Sequence, residues 1–110
     1  MSDTDPKLRA QNELEEYRKS IDNLDSALIA ILAERFRVTE KVGRVKAAVG
    51  LPAMDPEREL RQIEHFRERA SFHDLNVDVA VDIFTRIFEH VKARHEVLQR
   101  GSASARSRGG

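Results

Sequence analysis

The chain has 110 residues, no cysteine, and equal numbers of basic and acidic side chains, 19 of each. This excludes disulfides, thiolate metal sites and a cysteine nucleophile, and it leaves no net field to draw the protein onto nucleic acid or an anionic membrane. With 40% apolar residues, 35% charged residues and only three prolines, the composition is that of one all-helical domain.

Residues 1–10 are polar and read as a flexible N-terminus, with neither a signal peptide nor a membrane span, so a cytoplasmic protein is expected. From about Gln11 to Val49 the spacing predicts one long helix, stopped by Gly50 and Pro52. Its seam runs Leu14, Tyr17, Ile21, Leu24, Leu28, Ile31, Arg35, Val38, Val42 and Val45, at alternating intervals of three and four. Gly43 weakens the helix locally. A helix roughly 55 Å long is too long for the rest of this chain to cover. A second copy therefore has to bury the remaining seam, giving an antiparallel, twofold helical homodimer.

A second helix opens at Asp55-Pro56-Glu57, an acceptor for the N-cap followed by proline and an acid in the first turn. Its inward face is Leu60, Ile63, Phe66 and Ala70, and it fades around residues 71–73. The third helix starts after Asn76 and turns Ala80, Ile83, Phe84, Ile87, Phe88, Val91, His95 and Leu98 inward. Residues 11–100 thus form the helical domain. Residues 101–110, all Gly, Ser, Ala and Arg, read as a disordered basic tail.

Arg35 occupies a core position of the seam, and an unpaired buried charge costs several kcal/mol, so an anion must stand opposite it. That anion is either a protein carboxylate, such as Glu34 or a neighbour's Glu59, or a ligand. Lys46 follows three turns later on nearly the same side, about 16 Å along the axis. Arg18 is about 42 Å from Lys46 along the same helix, and only an antiparallel partner brings it alongside. Asp55, Arg58 and Glu59 sit on the first turn of the second helix, whose free N–H groups favour an anion or hydroxyl. Each residue also has a plain structural explanation: Lys46 and Arg18 as solvated charges, Asp55 as a cap, His95 as a satisfied core histidine. The combination suits a small dianion carrying a hydroxyl.

The order Tyr17-Arg18, Ile21-Asp22, Leu24-Asp25, then Leu32-Ala33-Glu34-Arg35, Val42-Gly43, Lys46 and Asp55-Pro56-Glu57-Arg58-Glu59 resembles the all-helical class of chorismate mutases, over roughly Leu14 to Gln99. The resemblance implies an isomerase of aromatic amino acid biosynthesis that rearranges chorismate to prephenate. It implies an intertwined three-helix homodimer with no metal or organic cofactor. It also implies that Arg18 of the partner subunit and Arg35 hold the substrate carboxylates with help from Arg58, and that Lys46 meets the ether oxygen and a carboxylate. The resemblance further implies that Glu59 and the backbone at Asp55 bind the ring hydroxyl. The chain departs from the pattern twice: His95 stands where many members have a glutamine donating to the ether oxygen, and Val91 where a serine often touches a carboxylate. His95 is expected to replace the glutamine as donor, either as a neutral tautomer or as an imidazolium. Competing readings are an enzyme acting on 4-amino-4-deoxychorismate or isochorismate, a non-catalytic dimerisation or regulatory module, and, least favoured, a nucleic-acid binder through Arg106 and Arg108. A regulatory protein partner is compatible with the sequence but not identified by it.

Overall fold

The computed structural model describes residues 5–109, with side chains through residue 105, and within these it is all α-helical. Three helices follow in order: α1 (Pro6–Val49), α2 (Pro56–Phe72) and α3 (Val77–Gly109). Among the described residues no helix is long and apolar enough to cross a membrane.

The helix ends follow from local chemistry. Gly50 takes the left-handed conformation, φ 76°, that ends α1 at no steric cost, and the Leu51 N–H then caps the Lys46 carbonyl at 2.8 Å. Asp55 caps α2 by accepting the Arg58 N–H at 3.1 Å, with Pro56 at the first helical position. At the α2–α3 corner Asp74 has φ 56°, a conformation that a short polar side chain tolerates, and Asn76 accepts the Val79 N–H at 3.1 Å to start α3.

Both termini differ from the sequence-based expectation. Residues 6–10 are already helical, and residues 1–4 of the expected flexible N-terminus lie outside the described residues. Residues 101–109, expected to be a disordered tail, continue α3. The stretch after Gly101 has no proline and has alanine and arginine among its residues, so each added residue gains a backbone hydrogen bond with nothing to break the helix. Residue 110 lies outside the described part.

The chain divides into two units, Met1–Phe36 and Arg37–Gly110. In the first, a single helical segment, Leu14, Tyr17, Ile21, Leu24, Leu28 and Ile31 are all exposed. The ion pair of Lys19 with Glu16 at 3.2 Å lies in solvent and contributes at most about 0.5 kcal/mol.

In the second unit α2 packs on α3. Phe66 stacks on Phe84 with centroids 3.8 Å apart and planes 16° from parallel, and Phe88 closes on Phe66 at 5.9 Å. Ala47, Ala70, Ala80 and Ile87 are buried. Leu60 and Ile83, expected to face inward, stay exposed.

The carboxyl-terminal part of α1 is tied to α3 by polar contacts. Arg94 grips Glu40 with a two-pronged bond, Nη2 to Oε1 at 2.7 Å and Nε to Oε2 at 2.9 Å, and Arg44 reaches the same carboxylate at 3.1 Å. One residue along on each helix, the His95 ring meets the Thr39 carbonyl at 2.8 Å. Gly43 makes this approach possible. A Cβ there would lie 2.5 Å from His95 Cδ2, 2.8 Å from Nε2 and 2.9 Å from Leu98 Cδ1. The glycine that weakens the helix in sequence is therefore the seat of a buried side chain.

Replacing Gly43 with alanine gains up to about 1 kcal/mol of helix propensity but overpacks the contact by about 1–3 kcal/mol. Gly43→Ala is expected to be net destabilised by about 1 kcal/mol in chemical denaturation, and an unchanged or raised midpoint would contradict the close packing. Hydrogen bonding from Arg94, opposed by partial desolvation, holds the Glu40 carboxyl below its ordinary value of 4.5. Because the folded value is the lower one, the stabilisation is present above the ordinary value and lost as pH falls through the folded one. Wild type is thus expected to melt above Glu40→Gln at pH 7, with the gap narrowing under acid; a gap that widens would give the opposite sign.

Candidate active site

A small, open cleft lies within the second unit. Lys46 from the last turn of α1, Ala53 and Asp55 from the linker, Arg58, Glu59 and Gln62 from α2, and Phe88, Val91, Lys92 and His95 from α3 line it. Helical spacing explains the convergence. Asp55, Arg58/Glu59 and Gln62 recur at three to four residues along one face of α2, and Phe88, Val91/Lys92 and His95 do the same on α3.

Six of the residues singled out from sequence therefore meet in one place: Lys46, Asp55, Arg58, Glu59, Val91 and His95. Arg18 and Arg35 lie on the first unit, Arg18 exposed and Arg35 half-buried and held by interactions with its surroundings. Gln62, Lys92 and Phe88 also line the cleft and lie outside the expected site residues. The signal for Gln62 was its position one turn beyond Arg58 and Glu59. On α3 Lys92 adjoins Val91, which carries the apolar pattern, and Phe88 reads equally well as core.

Three cations and two carboxylates face the cleft. Lys46, Arg58 and Lys92 form no ion pair among the described residues, so their charge is not spent on the protein. The Asp55 carboxylate is partly committed, since one oxygen caps the Arg58 N–H. Among the described residues no group of three or more His, Asp or Glu side chains is placed to hold a metal ion. Free cations beside a helix start form a cage for a small anion with a hydroxyl to be oriented.

His95 is the buried polar residue of the unit, 4% exposed. Its Nε2 lies 2.8 Å from the Thr39 carbonyl, while Nδ1 is buried with no partner. It is therefore neither a free donor nor a fully satisfied core histidine.

Residues 17–96 match the family described as chorismate mutase type II, about the span over which the sequence motifs run. The chain is 33% identical over 81 residues to a chorismate mutase of Methanocaldococcus jannaschii, an alignment that takes in 74% of this chain and 82% of that protein. It is 36% identical to the T-protein of Enterobacter agglomerans, covering 68% of this chain but only 20% of that longer protein. It is 28% identical to a 4-amino-4-deoxychorismate mutase of Streptomyces venezuelae, over 89% of this chain and 96% of that one. With most of its length matched and the cationic cleft formed by the residues that carry the motif, the chain belongs to the type II chorismate mutase family.

Proposed function

We propose that this protein is a chorismate mutase, rearranging chorismate to prephenate in aromatic amino acid biosynthesis, and that it works as an intertwined antiparallel homodimer. The observation that carries the activity is the set of unpaired cations, Lys46, Arg58 and Lys92, gathered in one cleft of a chain of this family. The dimer is supported by the exposed apolar seam, Leu14 to Ile31, which is a costly surface to leave in water.

The reaction breaks a C–O bond as a C–C bond forms within one molecule, so it needs no nucleophile. Two tasks remain: folding the enolpyruvyl arm over the ring, and stabilising negative charge as it grows on the ether oxygen. Arg35 and Arg18 of the partner subunit hold the two carboxylates with help from Arg58. Lys46 meets the ether oxygen and a carboxylate, while Glu59 and the backbone at Asp55 orient the ring hydroxyl. Val91 presents only apolar surface to the substrate, so carboxylate binding falls to the cations. Contacts that strengthen at the ether oxygen raise the rate of the chemical step, whereas uniform carboxylate binding mainly lowers KM.

A second reading, 4-amino-4-deoxychorismate as substrate, is favoured by the near full-length alignment with the Streptomyces venezuelae enzyme. The two substrates differ at the ring position facing Asp55 and Glu59, so parallel assays with both separate them.

Removing a fixed donor to developing charge costs about 10²–10³ in rate. Lys46→Ala is accordingly expected to lose that much kcat in a prephenate-formation assay, with Arg35→Ala falling at least as far in kcat/KM. Near wild-type turnover by either would sink the assignment. The shared site has its own test. Arg18→Ala and Lys46→Ala homodimers are each expected to be inactive, but after unfolding together and refolding at equal amounts half the dimers are mixed and carry one intact site. Activity should return to about one quarter of wild type; no recovery would place Arg18 outside the partner's site.

A further inference from the structure

We propose that Lys92 makes this enzyme selective for a hydroxyl over an amine at the substrate ring position that faces Glu59, because its ammonium stands beside that carboxylate on the wall of the cleft. The inference rests on the mutase reading above and deepens it to the choice between chorismate and its 4-amino analogue.

The placement follows from how α2 and α3 pack. Phe66 meets both Phe84 and Phe88, with centroids 3.8 and 5.9 Å away, and the short corner after Phe72 turns the chain back, so the two helices run antiparallel. Two turns before Phe66, on the same face of α2, is Glu59. One turn beyond Phe88 on α3 is Lys92. The aromatic row therefore runs on into a facing glutamate and lysine. Both side chains line the cleft, and both, with Phe88, also line the neighbouring groove that holds Leu60, Ile63 and Glu89. Residues common to two adjoining hollows form the wall between them, which sets Glu59 and Lys92 side by side.

The charge of Lys92 is available to the cleft. Glu89, one turn back on α3, is paired with Arg86 at 2.6 Å, and among the described residues neither Lys92 nor Glu59 forms an ion pair. Glu59 and Lys92 are half-buried, where water screens a charge less than on an open face.

A ring hydroxyl donates to Glu59 as a neutral group, so a neighbouring cation costs it little. The amine of 4-amino-4-deoxychorismate is positively charged at neutral pH, as alkyl amines are. Beside a lone carboxylate that charge would gain an ion pair, whereas beside Glu59 and Lys92 together it meets repulsion that offsets the gain. The other charged groups of the cleft are Lys46 and Arg58, which add to the repulsion, and Asp55, whose carboxylate already caps the Arg58 N–H. Setting a like charge against the wrong substrate is a direct route to specificity.

The test compares kcat/KM at pH 7 for chorismate and for 4-amino-4-deoxychorismate on the full chain, in wild type, Lys92→Arg, Lys92→Gln and Lys92→Glu. Wild type and Lys92→Arg are expected to prefer the hydroxyl substrate. In Lys92→Gln the ratio of the two values is expected to move toward the amine by about tenfold, and in Lys92→Glu further, since the second change also adds a carboxylate. Equal losses on both substrates in these variants, the mark of a lysine that only binds carboxylates, would overturn the proposal. So would a wild type that prefers the amine, a reading that needs no variant to fold. No turnover of either substrate by wild type would refute the mutase reading and this proposal with it, whereas an unchanged ratio in an active enzyme refutes the role of Lys92 alone.

Discussion

The second unit is organised around the close approach of α3 to α1 at Gly43. Without a side chain there, the His95 ring can lie against the helix backbone and reach the Thr39 carbonyl, while Arg94 and Glu40 close next to it. Three contacts of different kinds, one steric and two polar, thus fall within a single turn of each helix. They set the register in which Lys46, from the end of α1, and Val91, Lys92 and His95, from α3, line the same cleft.

The cleft is built at a cost that the protein does not recover by itself. Among the described residues three cations stand in it without ion pairs, and a histidine nitrogen is buried unpaired. A gathered set of unpaired cations favours a complex with an anion of the right shape, which is how electrostatic catalysis is preorganised. The apolar seam of the first unit is uncompensated in the same sense, with large side chains in water on a helix that finds nothing of its own unit to pack on. Both features are what the proposed function uses, the cations for a dianionic substrate and the seam for a second copy.

Much of this was legible in the residues. Asp55-Pro56-Glu57 marked the start of α2, Gly50 the end of α1, and Asn76 the start of α3, because caps and left-handed turns are local chemistry. Six of the eight expected site residues converge because three- and four-residue spacing places them on single helix faces. The errors were also physical. Composition suggested a disordered tail after residue 100, but a helix already running needs no new nucleus, and α3 continues to Gly109. Lys92 and Gln62 are not legible as lining residues because helical periodicity identifies a face but not how wide a cleft opens over it.

Sequence alone determined the three helices, the end of α1, the start of α2 and of α3, the family motif and the set of charged residues, since each depends on neighbours within a turn or two. The tertiary structure decided the state of His95, which no spacing rule could. Whether that ring donates, accepts or is merely buried depends on a carbonyl 56 positions away along the chain, at Thr39, and on the missing side chain at Gly43. A hydrogen-bonding state is a property of what surrounds a group in space, and only folding brings those surroundings together.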